Sequence, residues 1–209
     1  MVSRNEFFIA ATLLAIAINT NKNDVQVSWA YNGRDDLTSK SSVGLLLREL
    51  SAALRLHNKS NLHGIFTEIH EQVQNGIKYS CYPYMATIPQ NEEGDIACVL
   101  YQKDIREADD FDGMNVNKVE IAHNNAAAEA VLDIKILDDE DGLRYVFDYA
   151  AGRYERETMT EFQNLFRNVI AAIVNNANTD SYDFEQLKKD VCGNRGLMQK
   201  IKAIFAKKK

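Results

Sequence analysis

The sequence predicts an α+β fold, one domain with a largely covered sheet and helices packed against it. Two observations carry this. Periodic segments run in the order helix, strands, helix, strands, helix, with no internal repeat and no Pro/Gly/Ser-rich linker. The 209 residues are 45% apolar and 26% charged, ordinary globular values for a chain able to bury roughly 70% of its unfolded surface.

Ser3 and Glu6 form an S-x-x-E capping box ahead of the apolar stretch 7–18, so residues 4–20 read as a buried amphipathic helix. That stretch is too short to cross a bilayer, and its charged flank is too weak for a secretion signal. The polar cluster 19–23 is a turn. Val25, Val27, Trp29 and Tyr31 then fall on one face of a strand over 24–31, broken at 32–36. Residues 41–56 are ambiguous, since their composition favours a helix while a short apolar run also fits a central strand.

Leu62, Ile65, Phe66, Ile69 and Val73 recur at helical spacing, with Ser60 as a cap and Asn75-Gly76 as a stop, which predicts a helix over 60–75. Segment 77–88 is irregular and tyrosine-rich. Strands are expected over 96–101, 118–123, 130–137 and 143–149, with an acidic loop at 104–116. Asp141-Gly142 marks a hairpin between the last two strands. A long helix over 156–175 turns Met159, Phe162, Leu165, Phe166, Val169, Ile170 and Ile173 inward. Short helices over 183–191 and 196–206 precede a basic tail, 207–209.

Net charge is −6, from 30 acidic and 24 basic side chains, a balance that argues against a nucleic-acid footprint. The cysteines Cys81, Cys98 and Cys192 are odd in number and lack C-x-x-C spacing, which predicts reduced thiols in a cytoplasmic protein. His63 and His70 lie seven residues apart, whereas metal-binding pairs on a helix sit three or four apart; they read as solvent-edge or satisfied core positions, and His123 as structural. The carboxylates at 35–36, 109–112 and 138–141 read as solvated turns. Leu197, Ile201, Ile204 and Phe205 with their neighbouring lysines suit a docked terminal helix better than a membrane-surface one. A nucleophile elbow, Walker loop, dinucleotide fingerprint and H-E-x-x-H helix are all missing, so no catalytic or metal-binding residue is predicted.

Several short motifs nevertheless follow one another in a telling order. The helix 6–18 leads to a strand ending in Gly33-Arg34. Val43-Gly44 then steps into the apolar Leu45-Leu46-Leu47-Arg48-Glu49-Leu50. The helix 60–75 ends in the aromatic-proline segment Tyr79-Ser80-Cys81-Tyr82-Pro83-Tyr84. An acidic-Gly hairpin, a tyrosine-rich strand over 142–149 and a long helix close the series. The ordered set, covering roughly residues 4–177, resembles the C-terminal lobe of the condensation domains of nonribosomal peptide synthetases, in the chloramphenicol-acetyltransferase-like superfamily.

The resemblance implies a central mixed sheet with helices packed on it, and a strand over most of 43–56. It divides the chain into a lobe, 1–177, and terminal helices with a basic tail, 178–209. It implies a cytoplasmic bacterial enzyme of secondary metabolism, forming amide bonds between thioesters on partner carrier domains. No cofactor is bound; phosphopantetheine arms arrive on those carriers at a tunnel between two lobes. The catalytic H-H-x-x-x-D-G motif belongs to the N-terminal lobe, and this chain holds no adjacent histidine pair, so it is expected to be inactive alone.

Gly33 and Arg34 would sit near the tunnel, with Trp29 and Asn32 beside them. In the alternative reading, Gly33 serves a turn and Arg34 pairs with Asp35 or Asp36. Tyr79, Tyr82 and Tyr84 either line the tunnel mouth or simply pack. Many members have Asn-Thr where this chain has Arg48-Glu49, and His-Gln in the place of Tyr79-Ser80-Cys81. Those departures leave a second possibility, a degenerate, non-catalytic lobe that docks carrier proteins. Expected partners are the N-terminal lobe and carrier domains, with no nucleic acid and no membrane. The face meeting the other lobe should be exposed and apolar, and self-association through it is possible.

Overall fold

Every second residue of the strand Asp24–Tyr31 (β1) is apolar, and those side chains decide which side of the sheet is covered. The computed structural model describes residues 2–34, 41–57, 60–82, 97–103, 132–139, 142–179 and 181–193. Around β1 lie the strands Arg48–Arg55 (β2), Ala97–Lys103 (β3), Leu132–Asp139 (β4) and Gly142–Tyr149 (β5). They form a mixed sheet in the order β2-β1-β3-β4-β5. The β1/β3 and β3/β4 pairs are parallel, and the pairs at either flank are antiparallel. The helices are Arg4–Thr20 (α1), Leu62–Lys78 (α2), Arg156–Asn175 (α3) and Phe184–Cys192 (α4).

The predicted capping box forms: the Ser3 amide donates to Glu6 Oε2 at 2.7 Å, and the Glu6 amide donates to Ser3 Oγ at 3.2 Å. The helix it starts differs from the expectation in one respect. Residues Phe8 to Ala15 are buried without interruption, so α1 is apolar and covered on nearly every side rather than amphipathic. It is the central helix, lying on the sheet with α2 and α3 beside it. Complete burial of Ile9, Leu13, Leu14 and Ile18 contributes roughly 1.5–3 kcal/mol each. The ambiguous segment resolves as strand over β2, because only a period of two places Leu50, Ala52 and Leu54 opposite Trp29, Val27 and Val25.

Helix α2 begins at Leu62, two residues later than expected, capped by Asn61 rather than Ser60, and runs past Asn75-Gly76 to Lys78; Ile77 packs against the core in that last turn. The hairpin between β4 and β5 forms, with Gly142 at φ 119°. Helix α4 adds Phe184, Leu187 and Val191 to the same core. The strand expected at 118–123, the acidic loop 104–116, the helix 196–206, the basic tail, His123 and Tyr84 lie outside the described residues.

The two faces of the sheet differ. On one, a row in register runs Leu50–Trp29–Val99–Ile134–Phe147 across all strands, and the helices cover it. On the other, the matching row is Ser51–Ser28–Cys98–Asp133–Asp148. Among the described residues no helix lies over that polar row, so the expected covering of the sheet is seen on one face.

The outer edge of β2 is blunted. Gln72 of α2 accepts from the Ala53 amide at 2.8 Å and donates to the Ala53 carbonyl at 2.8 Å, standing in for a sixth strand. Gln72→Ala is expected to cost roughly 1–3 kcal/mol, two hydrogen bonds at about 0.5–1.5 kcal/mol each. Urea denaturation would measure the loss, and a change below about 0.5 kcal/mol would refute it.

Candidate functional site

Where β1 ends and β2 begins, three segments meet. Gly33 has φ 66°, and an added Cβ would sit 2.3 Å from the Leu46 carbonyl oxygen. The chain therefore needs glycine there twice over, for its left-handed backbone and for the close approach of the incoming strand. Next to it, the Arg34 guanidinium donates to the carbonyls of Ser42 at 2.8 Å and Gly44 at 2.9 Å. The Arg34 amide donates to Asn32 Oδ1 at 3.0 Å. Gly33, Asn32 and Arg34 thus pin the segment that feeds β2. Asp35 and Asp36, the partners considered for Arg34, lie outside the described residues.

The end of α2 arrives at the same place. Arg48 Nη1 donates to Ser80 Oγ at 2.8 Å and approaches Cys81 Sγ at 3.5 Å. Arg48 and Ser80-Cys81, two positions singled out separately in the sequence, are thus joined, one side chain holding the other. Around them Val43, Leu45 and Leu47 are exposed at 104%, 88% and 51%, and Tyr79 and Tyr82 at 61% and 65%. Apolar side chains so concentrated at one end of a domain mark a contact surface.

Trp29 stands apart from this group. Its indole is 1% exposed, on the helix-covered face, edge-on to Tyr31 and opposite Leu50. The structure places it in the core rather than at the open end. What sequence reasoning missed is the Arg48–Ser80 contact, which joins positions 32 residues apart with no local signal.

Three carboxylates set the electrostatics of the rest. Burial pushes the Glu6 carboxyl up, but hydrogen bonds from Ser3, Gln74 and His70 outweigh it and leave the group below its ordinary range. His70 Nδ1 and Gln74 Nε2 lie 2.9 and 3.1 Å from Glu6 Oε1. Hydrogen bonds from Tyr101 and Arg4 likewise hold Asp138 low, the Tyr101 hydroxyl at 2.5 Å. On the polar face the sign reverses. Burial raises the Asp133 carboxyl; Lys135 opposes the shift, and Asp148 and Glu49 add to it. Burial also raises the neighbouring Cys98 thiol, the direction opposite to that of an activated nucleophile.

These signs predict a pH dependence. Glu6 and Asp138 have folded values below their unfolded ones, so their contribution is present above the ordinary carboxylate range and lost as pH falls through the folded values. Asp133 has a raised folded value, so its contribution is present at low pH and lost as pH rises through that value. In urea titrations, Glu6→Gln and Asp138→Asn are each expected to flatten the acid loss of stability. Asp133→Asn should stabilise at neutral pH and do nothing in acid. An Asp133→Asn variant less stable at neutral pH would contradict the assignment.

A mixed five-stranded sheet with helices packed on it is the α+β arrangement of one lobe of the chloramphenicol-acetyltransferase-like fold. The family model for the condensation domain matches residues 1–190, and the chain belongs to that family. Among solved structures, it is similar to the first condensation domain of the CDA synthetase, with 18% identity and a TM-score of 0.63, over 87% of this chain and 41% of that one. It is also similar to the epimerization domain from the third module of tyrocidine synthetase B, at 16% identity and TM-score 0.63, over 83% and 42% of the two chains. A four-domain nonribosomal peptide synthetase bound to AMP and glycine matches at 8% identity and TM-score 0.67, over 83% of this chain and 15% of its own. Identities this low speak to fold alone. The chain spans less than half the length of the condensation and epimerization domains it matches. No curated protein matches it. No described helix is long and apolar enough to cross a membrane.

Proposed function

We propose that this lobe is the C-terminal half of an amide-forming chamber in a nonribosomal peptide synthetase. An N-terminal lobe bearing H-H-x-x-x-D-G would supply the catalytic histidine. Carrier domains would bring the donor thioester and the acceptor amine on phosphopantetheine arms, and the lobe itself binds no cofactor. The second histidine of the motif would support attack of the amine on the thioester carbonyl; the new C–N bond forms as the C–S bond breaks, and the carrier thiol leaves.

The observation that carries this reading is the apolar end formed by Val43, Leu45, Leu47, Tyr79 and Tyr82. It sits beside the hydrogen bonds that Arg34 and Arg48 make to Ser42, Gly44 and Ser80. Asn32, Gly33, Arg34, Tyr79 and Tyr82 would then face the tunnel, with Tyr84 following in the chain.

A second reading, a docking lobe without chemistry, draws support from the Arg48–Ser80–Cys81 contact. It preserves the local architecture while replacing the polar groups many members carry there.

Product formation would be measured with loaded carriers, for this chain alone and joined to a histidine-bearing lobe. The first reading expects amide product only from the joined protein. Carrier binding without product from the joined protein leaves the docking reading. Product from this chain alone overturns both.

A further inference from the structure

The two edges of the sheet are treated differently. The outer edge of β2 is plugged by Gln72 and carries Arg48, Glu49 and Arg55. Among the described residues the outer edge of β5 is neither plugged by a side chain nor covered by a helix, and its charges, Arg144 and Asp148, are of opposite sign. Its sequence, GLRYVFDY, has no proline and no lysine. Its ladder with β4 runs unbroken from Tyr149 to Gly142, without a bulge. Among the described residues no strand pairs with its far side, and every second residue's N–H and C=O points away from β4. Leu143 and Val146 are 44% and 38% exposed.

We propose that the β5 edge pairs antiparallel with the β5 edge of a second copy of this chain, about a two-fold axis through Val146. The strand is complementary to its own reverse in that register. Val146 meets Val146, Tyr145 meets Phe147, and Leu143 meets Tyr149. Arg144 meets Asp148 of the second copy, and the symmetry repeats that pair. Tyr145 and Phe147, both half-buried under Phe162 and Phe166 of α3, continue the aromatic layer across the junction. On the polar face, Lys135 lies 2.5 Å from Asp148 and Arg144 lies 2.9 Å from Asp139. Charges would therefore alternate across the seam as Lys135, Asp148, then Arg144 and Asp139 of the second copy.

Sliding the register by two residues either way sets Arg144 or Asp148 against Val146 and loses both charge pairs, so one register is specified. The apolar patch at Leu45 and Leu47 lies at the far edge of the sheet and takes no part, so the inference stands independently of the proposed function. The two copies would share one continuous sheet, with their helices on the same face. A contact of this size gives a weak, concentration-dependent dimer.

Sedimentation equilibrium of the full chain tests this with three variants. Arg144→Asp places like charges opposite each other twice and is expected to weaken dimerisation roughly tenfold or more. The double variant Arg144→Asp, Asp148→Arg restores opposite charges across the seam and is expected to dimerise more tightly than Arg144→Asp alone. Both residues are largely exposed, so circular dichroism should show the monomer fold retained. Separately, Val146→Cys in a Cys81→Ser background should oxidise to a covalent dimer, since residues facing each other at the axis stand about 4.5–5.5 Å apart. A strict monomer at all concentrations overturns the proposal. So does a dimer that survives Arg144→Asp but is lost in Leu45→Glu, which would assign the contact to the open end.

Discussion

Trp29→Ala is expected to lower the free energy of unfolding by roughly 3–5 kcal/mol, the cost of emptying an aromatic site in a packed core. Domains of this kind are held by about 5–15 kcal/mol in total, so the variant should be partly unfolded near physiological temperature. The reason lies in the register. Trp29 sits between Leu50 and Val99 in the row beneath the helices, and a Cβ placed on Gly76 of α2 would lie 3.6 Å from its Cζ2. Few groups are free to collapse into the space. Trp29→Phe should cost far less, since the indole N–H has no hydrogen-bond partner among the described residues. Tyr79→Ala and Tyr82→Ala, by contrast, should change stability by no more than about 0.5 kcal/mol, because both rings are mostly exposed. Urea denaturation of the four variants separates a core aromatic from surface ones. Equal losses for Trp29→Ala and Tyr82→Ala would contradict the placement.

Gly33→Ala is the second large effect. Holding alanine at φ 66° strains the backbone by about 1–3 kcal/mol, and its Cβ would meet the Leu46 carbonyl oxygen at 2.3 Å. The segment 42–46 must then move away, taking with it the carbonyls of Ser42 and Gly44 that Arg34 holds. Faster limited proteolysis within 42–47 should accompany the lost stability. Gly33→Asn distinguishes the two causes. Asparagine tolerates the left-handed region but keeps a Cβ, so a variant as stable as the wild type would show that the close approach is relieved cheaply. We expect it to remain destabilised.

The helical and β periodicities were legible because each is written in residues close together. The capping box of α1, the alternation of β1, the hairpin at Gly142 and the inward face of α3 need only local spacing, and all appear where expected. The segment that became β2 was not legible from its own residues, since a short apolar run fits helix and strand alike; family order pointed to strand, and pairing with β1 settles it. Trp29 shows the same boundary. Its strand and its apolar face could be read, but not that this face lies under the helices rather than beside the open end.

Read alone, the sequence determined the α+β class, the order of most of the described elements and the absence of an adjacent histidine pair, because each depends on composition or near neighbours. Tertiary structure decided which sheet face is covered, that Gln72 closes one edge, and that Arg48 reaches Ser80. Each of those joins residues far apart in the chain, and a contact between distant residues leaves no local period in the sequence. It exists only once hydrophobic burial has brought the segments together.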